Sequence, residues 1–343
     1  MNSQREIQPN KIVINSKYPL FSIVTPSFNQ AQFIRQTIDS VLNQSYQNIE
    51  YIVVDGNSND GTFEILESYR DLIDHIIIEN DQGQSDAINK GLALAKGSLL
   101  MWLNSDDILL PNSIQTAVDC FSEHPDALIV HGHSELFGYH LKPKLIGEFS
   151  GELLTRYPAY MCYPQPASFF RKELISLTGD LDTHLHYAMD FDLTVRAYLN
   201  GKIVYTPYLF SKYRIHATSK TNNSILFVRE WSEVFSRFIN TFPIYSTWLR
   251  LLIDEGFHTG TTLQYPCHTL INVLDFEQIF YNHFYTCAHM LYQAGQDQES
   301  LRYICFLKKF LPKQYNTSSL NMLKIRMLIN PRLRNLCRKL TSQ

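Results

Sequence analysis

No two of the six cysteines, Cys120, Cys162, Cys267, Cys287, Cys305 and Cys337, stand in a C-x-x-C pair. Neither a zinc knuckle nor a redox dithiol is therefore written into the chain, and a reducing compartment is the simplest expectation. No run reaches the roughly 18 apolar residues of a membrane span. The polar stretch Met1 to Pro19 holds no signal-like apolar segment, so a cytoplasmic protein is expected. No G-x-G-x-x-G follows the first apolar run, which weighs against a dinucleotide dehydrogenase. Gly56 and Gly61 have P-loop spacing, but Thr62 stands where lysine is required, and a Walker site is rejected. A net charge of −3 lacks the basic excess of a nucleic-acid binder. Charged residues are sparse at 18% against 45% hydrophobic, which excludes global disorder and permits a large core. Acid is also missing locally: from Arg302 onward no Asp or Glu opposes Lys308, Lys309, Lys313, Lys324, Arg326, Arg332, Arg334, Arg338 and Lys339.

What is present in the first half is alternation. Strands are expected at Phe21–Thr25, Ile49–Val54, Ile76–Ile78, Ser98–Leu103 and Ala127–His131. Between them, helical periodicity runs over Phe33–Leu42, Thr62–Tyr69 and Ser85–Lys96, and Pro111 opens a fourth helix at a first-turn position. This order implies an α/β fold with a mainly parallel sheet, helices on both faces, and a ligand site beyond the carboxyl ends of the strands. Polar loops follow four of those strands: Thr25–Asn29, Asp55–Gly61, Asp81–Asp86 and Asn104–Asp107. Residues 145 to 221 mix shorter elements, and beyond Ser224 the pattern is helical.

Three constellations carry chemistry. Asp106-Asp107, directly after a buried strand, suits a hard divalent cation that would neutralise a leaving nucleoside diphosphate. The plainer alternative has Asp107 capping a turn before Pro111. Asp190 and Asp192 open a helix but cannot share one face. Asp192 can pair with Arg196 four residues on, leaving Asp190 free as a general base; an ordinary helix cap is the alternative. His216, in Tyr213-Arg-Ile-His-Ala-Thr-Ser219, can complete a metal shell, bind a phosphate, or be structural. Asp55 reads either as a turn residue or as an acceptor for a base N–H or ribose hydroxyl.

Taken in order, six segments resemble the family 2 inverting glycosyltransferases with the GT-A nucleotide-diphospho-sugar transferase fold. They are Val24–Asn29, Val54–Thr62, Gly83–Gly91, Leu103–Asp107, Pro164–Ser168 and Ala188–Asp192. The resemblance spans roughly residues 21 to 221. It implies a nucleotide-sugar site drawn from Thr25, Pro26, Ser27, Asn29, Asp55, Asp81, Gln84, Asp86, Asn89, Lys90, Asn104 and Asp106. It implies Asp107 and His216 as ligands of Mn²⁺ or Mg²⁺, and Asp190 as base. Two positions depart from the family pattern: Gly56 where many members carry a second acid, and Met189 where they often carry Glu.

The expected organisation is an N-terminal segment 1–20, a catalytic domain 21–221 with donor half 21–135 and acceptor half 136–221, and an α-helical extension 222–343. The expected reaction is transfer of a hexose or related sugar from a nucleotide donor, a UDP-sugar favoured, to a glycan or lipid-linked acceptor, with no nucleic-acid partner. Two rivals are an inactive sugar-nucleotide-binding scaffold and a sugar-phosphate nucleotidyltransferase. Thr25–Asn29 lacks the Gly-rich basic loop of the latter. Leu320, Leu323, Ile325, Leu328, Ile329 and Leu333, interleaved with basic residues, could lie on an anionic membrane face. A solvated basic face on a packing helix is the competing reading.

Overall fold

The computed structural model describes residues 18–138, 141–147, 154–267, 276–316 and 318–328. The N-terminal segment before Tyr18, and Ile329, Arg332, Leu333, Arg334, Arg338 and Lys339 of the basic tail, lie outside the described residues.

The first half follows the expected alternation. Strands β1 (Phe21–Ser27), β2 (Ile49–Asp55), β3 (His75–Ile78) and β4 (Leu99–Trp102) alternate with helices α1 (Ile34–Leu42), α2 (Thr62–Ser68) and α3 (Gln84–Leu94). These four strands pair in parallel in the order β3-β2-β1-β4. A two-residue strand, β5 (Ile108–Leu109), then precedes α4 (Ser113–Glu123). Pro111 does not open that helix. Asn112 takes a left-handed φ of 65° ahead of it, and Ser113 begins it with its hydroxyl donated to the Phe210 carbonyl at 2.6 Å.

The second half turns the sheet from parallel to mixed. Strands β6 (Ala127–Gly138), β7 (Lys144–Ile146), β8 (Ser168–Arg171) and β9 (Lys202–Ile215) continue the order as β4-β8-β6-β9-β5, with β7 on β6. β8 runs antiparallel to both its neighbours, and β6 and β9 are parallel. β6 extends well beyond the expected His131. Helices α5 (Lys172–Thr178) and α6 (Met189–Asn200) lie between β8 and β9. The C-terminal region is helical as expected: α7 (Ser224–Asn240), α8 (Ser246–Asp254), α9 (Phe276–Gln293), α10 (Asp297–Phe310), α11 (Pro312–Asn316) and α12 (Leu320–Leu328). Among the described residues no helix is long and apolar enough to cross a membrane.

Strand alternation divides the core between the two faces of the sheet. Phe21, Ile23, Tyr51, Val53, Leu99 and Met101 pack with Ile34 and Ile38 of α1 and Ile114 and Val118 of α4. Val24, Ile52, Val54, Leu100 and Trp102 face the other way. They belong to one core with Ile88 of α3, Phe191 and Val195 of α6, and Val234, Phe235, Phe280 and Phe306 of the C-terminal helices. The extension therefore covers α6, the helix carrying Asp190. Trp231 of α7 lies against Phe191 of α6 with ring centroids 5.8 Å apart, and at roughly 1.5–3 kcal/mol per large apolar side chain buried this contact between α7 and α6 holds that helix firmly.

Candidate active site

The register of β5 against β9 assembles one side of the site. Ile108 pairs with Lys212 and Leu109 with Ser211, antiparallel. Continued outward, this pairing sets the acidic loop beside Arg214 and the residues that follow it. The Arg214 backbone N–H donates to Asp107 Oδ1 at 2.9 Å, and its guanidinium Nε donates to the Asp106 carbonyl at 2.7 Å. That guanidinium lies 4.8 Å from the Phe33 ring centroid and 4.4 Å from that of Phe137. Just past the strand end, His216 Nε2 sits 2.9 Å from Asp106 Oδ2. Thr218 Oγ1 contacts its Nδ1 at 2.9 Å, and the imidazole leans on Phe33 with centroids 4.7 Å apart.

The two adjacent acids part company. Asp106 lines a cavity of about 580 Å³ together with His216. Asp107 is fully buried and absent from the cavity wall. It accepts from Arg214, its main chain accepts the Thr37 hydroxyl at 2.7 Å, and burial, followed by the charge of Asp106, holds its pKa well above the ordinary carboxylate value. The sequence reading puts the cation on Asp107 and the ribose side on Asp106; of the two, Asp106 is the one that opens to the cavity.

Asp190 lies in the first turn of α6 and reaches the same cavity. Its Oδ1 accepts from the Phe191 N–H at 2.8 Å. Burial raises its pKa from 3.8 to about 6, although that N–H and the charge of Lys220 pull the other way. The helix N-cap is Ala188, so Asp190 is not the cap. Asp192 turns away as expected. It is buried against Arg196 Nε at 2.9 Å, Arg237 Nη1 at 3.4 Å and the Tyr265 hydroxyl at 2.6 Å.

Of the other candidates from the sequence, Pro26, Ser27, Asn29, Asp81, Gln84 and Asn104 also line the cavity. Thr25, Asp55, Asp86, Asn89 and Lys90 are not among its lining residues. Thr25 is buried with Oγ1 3.0 Å from the Tyr51 hydroxyl. Asp55 is a turn residue: its carboxylate takes the Ser58 N–H and hydroxyl, each at 2.7 Å. Its loop braces Asn29 instead, through Ser58 Oγ on the Asn29 N–H at 2.7 Å and the Asn59 N–H on Asn29 Oδ1 at 3.0 Å. Asp86 pairs with Lys90 at 3.3 Å on the outer face of α3, and Asn89 clamps the Leu181 main chain at 2.8 and 2.9 Å. Gly56 is accounted for by crowding. A Cβ there would lie 2.6 Å from an Asp81 carboxylate oxygen and 3.2 Å from the Phe28 ring.

Several lining residues escaped the sequence reading: Phe28, Gln165, Tyr187, Tyr213, Lys220 and Phe227. Gln165 lay inside a recognised segment. It donates to the Trp102 carbonyl at 2.9 Å and accepts from Asn104 at 3.3 Å. Phe28 is 59% exposed, a large ring left open beside the polar loop, which was a readable signal. Lys220 bridges Gln84 Oε1 at 2.8 Å and the His186 carbonyl at 3.0 Å, a join between distant segments that no local pattern announces.

Among the described residues no cluster of three His, Cys, Asp or Glu is arranged to hold a metal unaided. A carboxylate oxygen and an imidazole nitrogen side by side on a cavity wall do suit Mn²⁺ or Mg²⁺, provided diphosphate oxygens and water complete the shell. The residues present fit the cation on those terms.

The glycosyl transferase family 2 model matches residues 22–177. An uncharacterized glycosyltransferase of Rickettsia prowazekii (strain Madrid E) is 32% identical over 237 residues, covering 64% of this chain and 72% of that protein. A PGL/p-HBAD biosynthesis glycosyltransferase of Mycobacterium tuberculosis (strain ATCC 25177 / H37Ra) is 30% identical over 190 residues, covering 54% of this chain and 72% of its own. Among solved structures, the mannosyltransferase PcManGT from Pyrobaculum calidifontis, in complex with GDP-Man and Mn²⁺, aligns with a TM-score of 0.58 at 14% identity, covering 97% of this chain and 88% of that one. S. aureus TarS 1-349 in complex with UDP aligns with a TM-score of 0.53 at 17% identity, covering 85% and 92%. At those identities the structural likeness concerns the fold alone.

Proposed function

The chain belongs to glycosyltransferase family 2, and from that premise we propose that it transfers a hexose or related sugar, with inversion, from a nucleoside-diphosphate donor to a hydroxyl of a glycan or glycolipid acceptor. The setting would be polysaccharide or cell-surface glycan synthesis, with the donor on the 21–135 half and the acceptor on the 136–221 half. The observation that carries this reading is that Asp106, His216 and Asp190 line one cavity of about 580 Å³, a size that suits a nucleotide sugar.

Asp106 and His216 would hold a divalent cation, and Asp107 would brace the loop beneath them. A cation bound there supplies charge neutralisation to the departing diphosphate. Pro26, Ser27, Asn29, Asp81 and Gln84 would line the nucleotide side. The acceptor oxygen attacks the anomeric carbon as Asp190 takes its proton, and the bond to the diphosphate oxygen breaks on the far side. A base with a pKa of about 6 is well matched to that task near neutral pH. A carboxylate open to the cavity at that value favours an active enzyme over an inert scaffold. UDP-sugars are the first donors to try, because TarS was solved with UDP; GDP-mannose is the second, after PcManGT.

The test is a thermal-shift screen of nucleotide sugars with and without Mn²⁺, followed by product analysis of the donor that stabilises. Stabilisation by a nucleotide sugar only with the metal, and release of its diphosphate in turnover, is expected. Metal-independent binding would remove the cation from the mechanism.

A further inference from the structure

Glu230 lies on α7, beyond the stretch matched by the family model. Its carboxylate accepts from three consecutive backbone N–H groups: His186 at 3.1 Å, Tyr187 at 2.6 Å and Ala188 at 3.0 Å. Those residues form the approach to α6, and Asp190 follows two residues after the last of them. The helix has no side-chain cap of its own. Three charge-assisted bonds to one carboxylate are a strong and directional clamp.

The clamp is anchored at both ends. Val228, Trp231, Val234 and Phe235 of α7 are buried in the shared core. One turn before Glu230, Phe227 meets the Tyr187 ring edge-on with centroids 5.3 Å apart, so α7 grips the same loop through a second contact. Lys220 holds the loop from the other side through the His186 carbonyl. The ionisable groups acting on Asp190 are thus Lys220 and Glu230, with Tyr163 and Tyr213 nearby.

We propose that Glu230 is a positioning residue for the reaction: from the C-terminal helical region it fixes the 186–188 backbone and thereby the reach of the Asp190 carboxylate. The proposal rests on Asp190 being the base. It assigns Glu230 a part in catalysis without contact with substrate. Displacing a base by even an ångström can cost about a hundredfold in rate, so the clamp should act on turnover and leave nucleotide binding alone.

The test compares wild type, Glu230→Gln and Glu230→Ala as full-length proteins, with circular dichroism to verify folding. The Asp190 carboxyl carbon is titrated by ¹³C NMR. Removal of the neighbouring negative charge should lower its midpoint in both variants. Diphosphate release is measured from a mixture of UDP-glucose, UDP-galactose, UDP-N-acetylglucosamine and GDP-mannose with water as acceptor. The alanine variant should lose about tenfold or more in kcat with KM unchanged, and the glutamine, which keeps one acceptor oxygen, should lose less. Affinity for UDP with Mn²⁺ should stay within about twofold. A folded alanine variant with an unmoved Asp190 midpoint and wild-type turnover would overturn the proposal, as would a loss of UDP affinity matching the loss of rate. Failure of the underlying reading has a different sign: turnover would then survive Asp190→Asn.

Discussion

His216 Nε2 and Asp106 Oδ2 stand 2.9 Å apart although 110 residues separate them in the chain. The contact exists because β5 pairs with β9, and it gives the cavity an imidazole and a carboxylate on a common wall. Asp107, next in sequence, is closed off from that wall.

The two acids should therefore respond differently to amide substitution. Asp106→Asn and His216→Ala are expected to weaken Mn²⁺-dependent UDP binding by about tenfold or more, since a dication loses a direct ligand. Asp107→Asn still offers an oxygen to the Arg214 N–H and should leave that affinity within about threefold. Isothermal titration calorimetry with UDP and Mn²⁺ distinguishes the two. Equal losses at 106 and 107 would return Asp107 to the metal shell.

Asp190→Asn should retain UDP affinity and lose about 10²–10⁴ in kcat, the usual contribution of a general base. In wild type, kcat should rise with pH through about 6, where the carboxylate forms. The same residue affects stability with a definite sign. Its folded pKa of about 6 lies above the unfolded 3.8, so the folded state binds the extra proton. Its contribution to stability is full below about pH 4 and is lost as pH rises through 6. The asparagine variant should thus gain Tm over wild type at pH 7.5 and not at pH 4, which differential scanning calorimetry would reveal.

Two buried histidines act in the opposite direction. Burial lowers His131 to about 3 and His283 to about 4 from 6.5. His131 contacts the Tyr157 hydroxyl at 2.8 Å, and His283 donates from Nδ1 to the Ala159 carbonyl at 2.7 Å. Their stabilising share is complete above about pH 6.5 and disappears as pH falls toward the folded values. A His283→Gln variant, unable to charge, should show a flatter decline of Tm between pH 6.5 and 4 than wild type. Parallel curves would mean that His283 is already accommodated as a cation.

Asp192→Ala would leave Arg196 and Arg237 buried with their shared carboxylate removed. Breaking a buried charge network from one side costs about 3–5 kcal/mol, mostly from the unpaired charge. Urea unfolding should show a midpoint lowered to match, with little change in slope. A loss under about 1 kcal/mol would mean that Glu233 and Asp182, which also meet Arg237, carry the network without Asp192.

How far the sequence foretold this site depends on the range of the forces involved. The parallel half of the sheet was legible because β1 to β4 alternate cleanly with helical periods, and each strand hands its polar residues to one rim. The resemblance assigns Gln84, Asp86, Asn89 and Lys90 of α3 alike to the nucleotide-sugar site, yet a helix turns about 100° per residue. Gln84 and Ala87 reach the cavity, whereas Asp86 and Lys90 form a pair elsewhere on its surface. The i,i+4 spacing of that pair already contained the warning. Asp55 and Asp107 lie off the cavity wall for a related reason. An acid after a strand can turn back to its own loop as readily as toward a ligand. Phe227, Lys220 and Glu230 could not be found locally, because tertiary packing of α7 onto the 186–188 loop gives them their place.

The briefest strand of the sheet has an outsized effect on how this enzyme could be altered. With Ile108 and Leu109 as the two strand-paired residues that set the register of the acidic loop against β9, inserting or deleting one residue between Asn104 and Leu110 would slide Asp106 past His216. It would also flip the side chains of β5 to the opposite face. Loop grafts intended to change donor preference should therefore spare this hairpin-like seam and be confined to rims that are not stitched across the molecule.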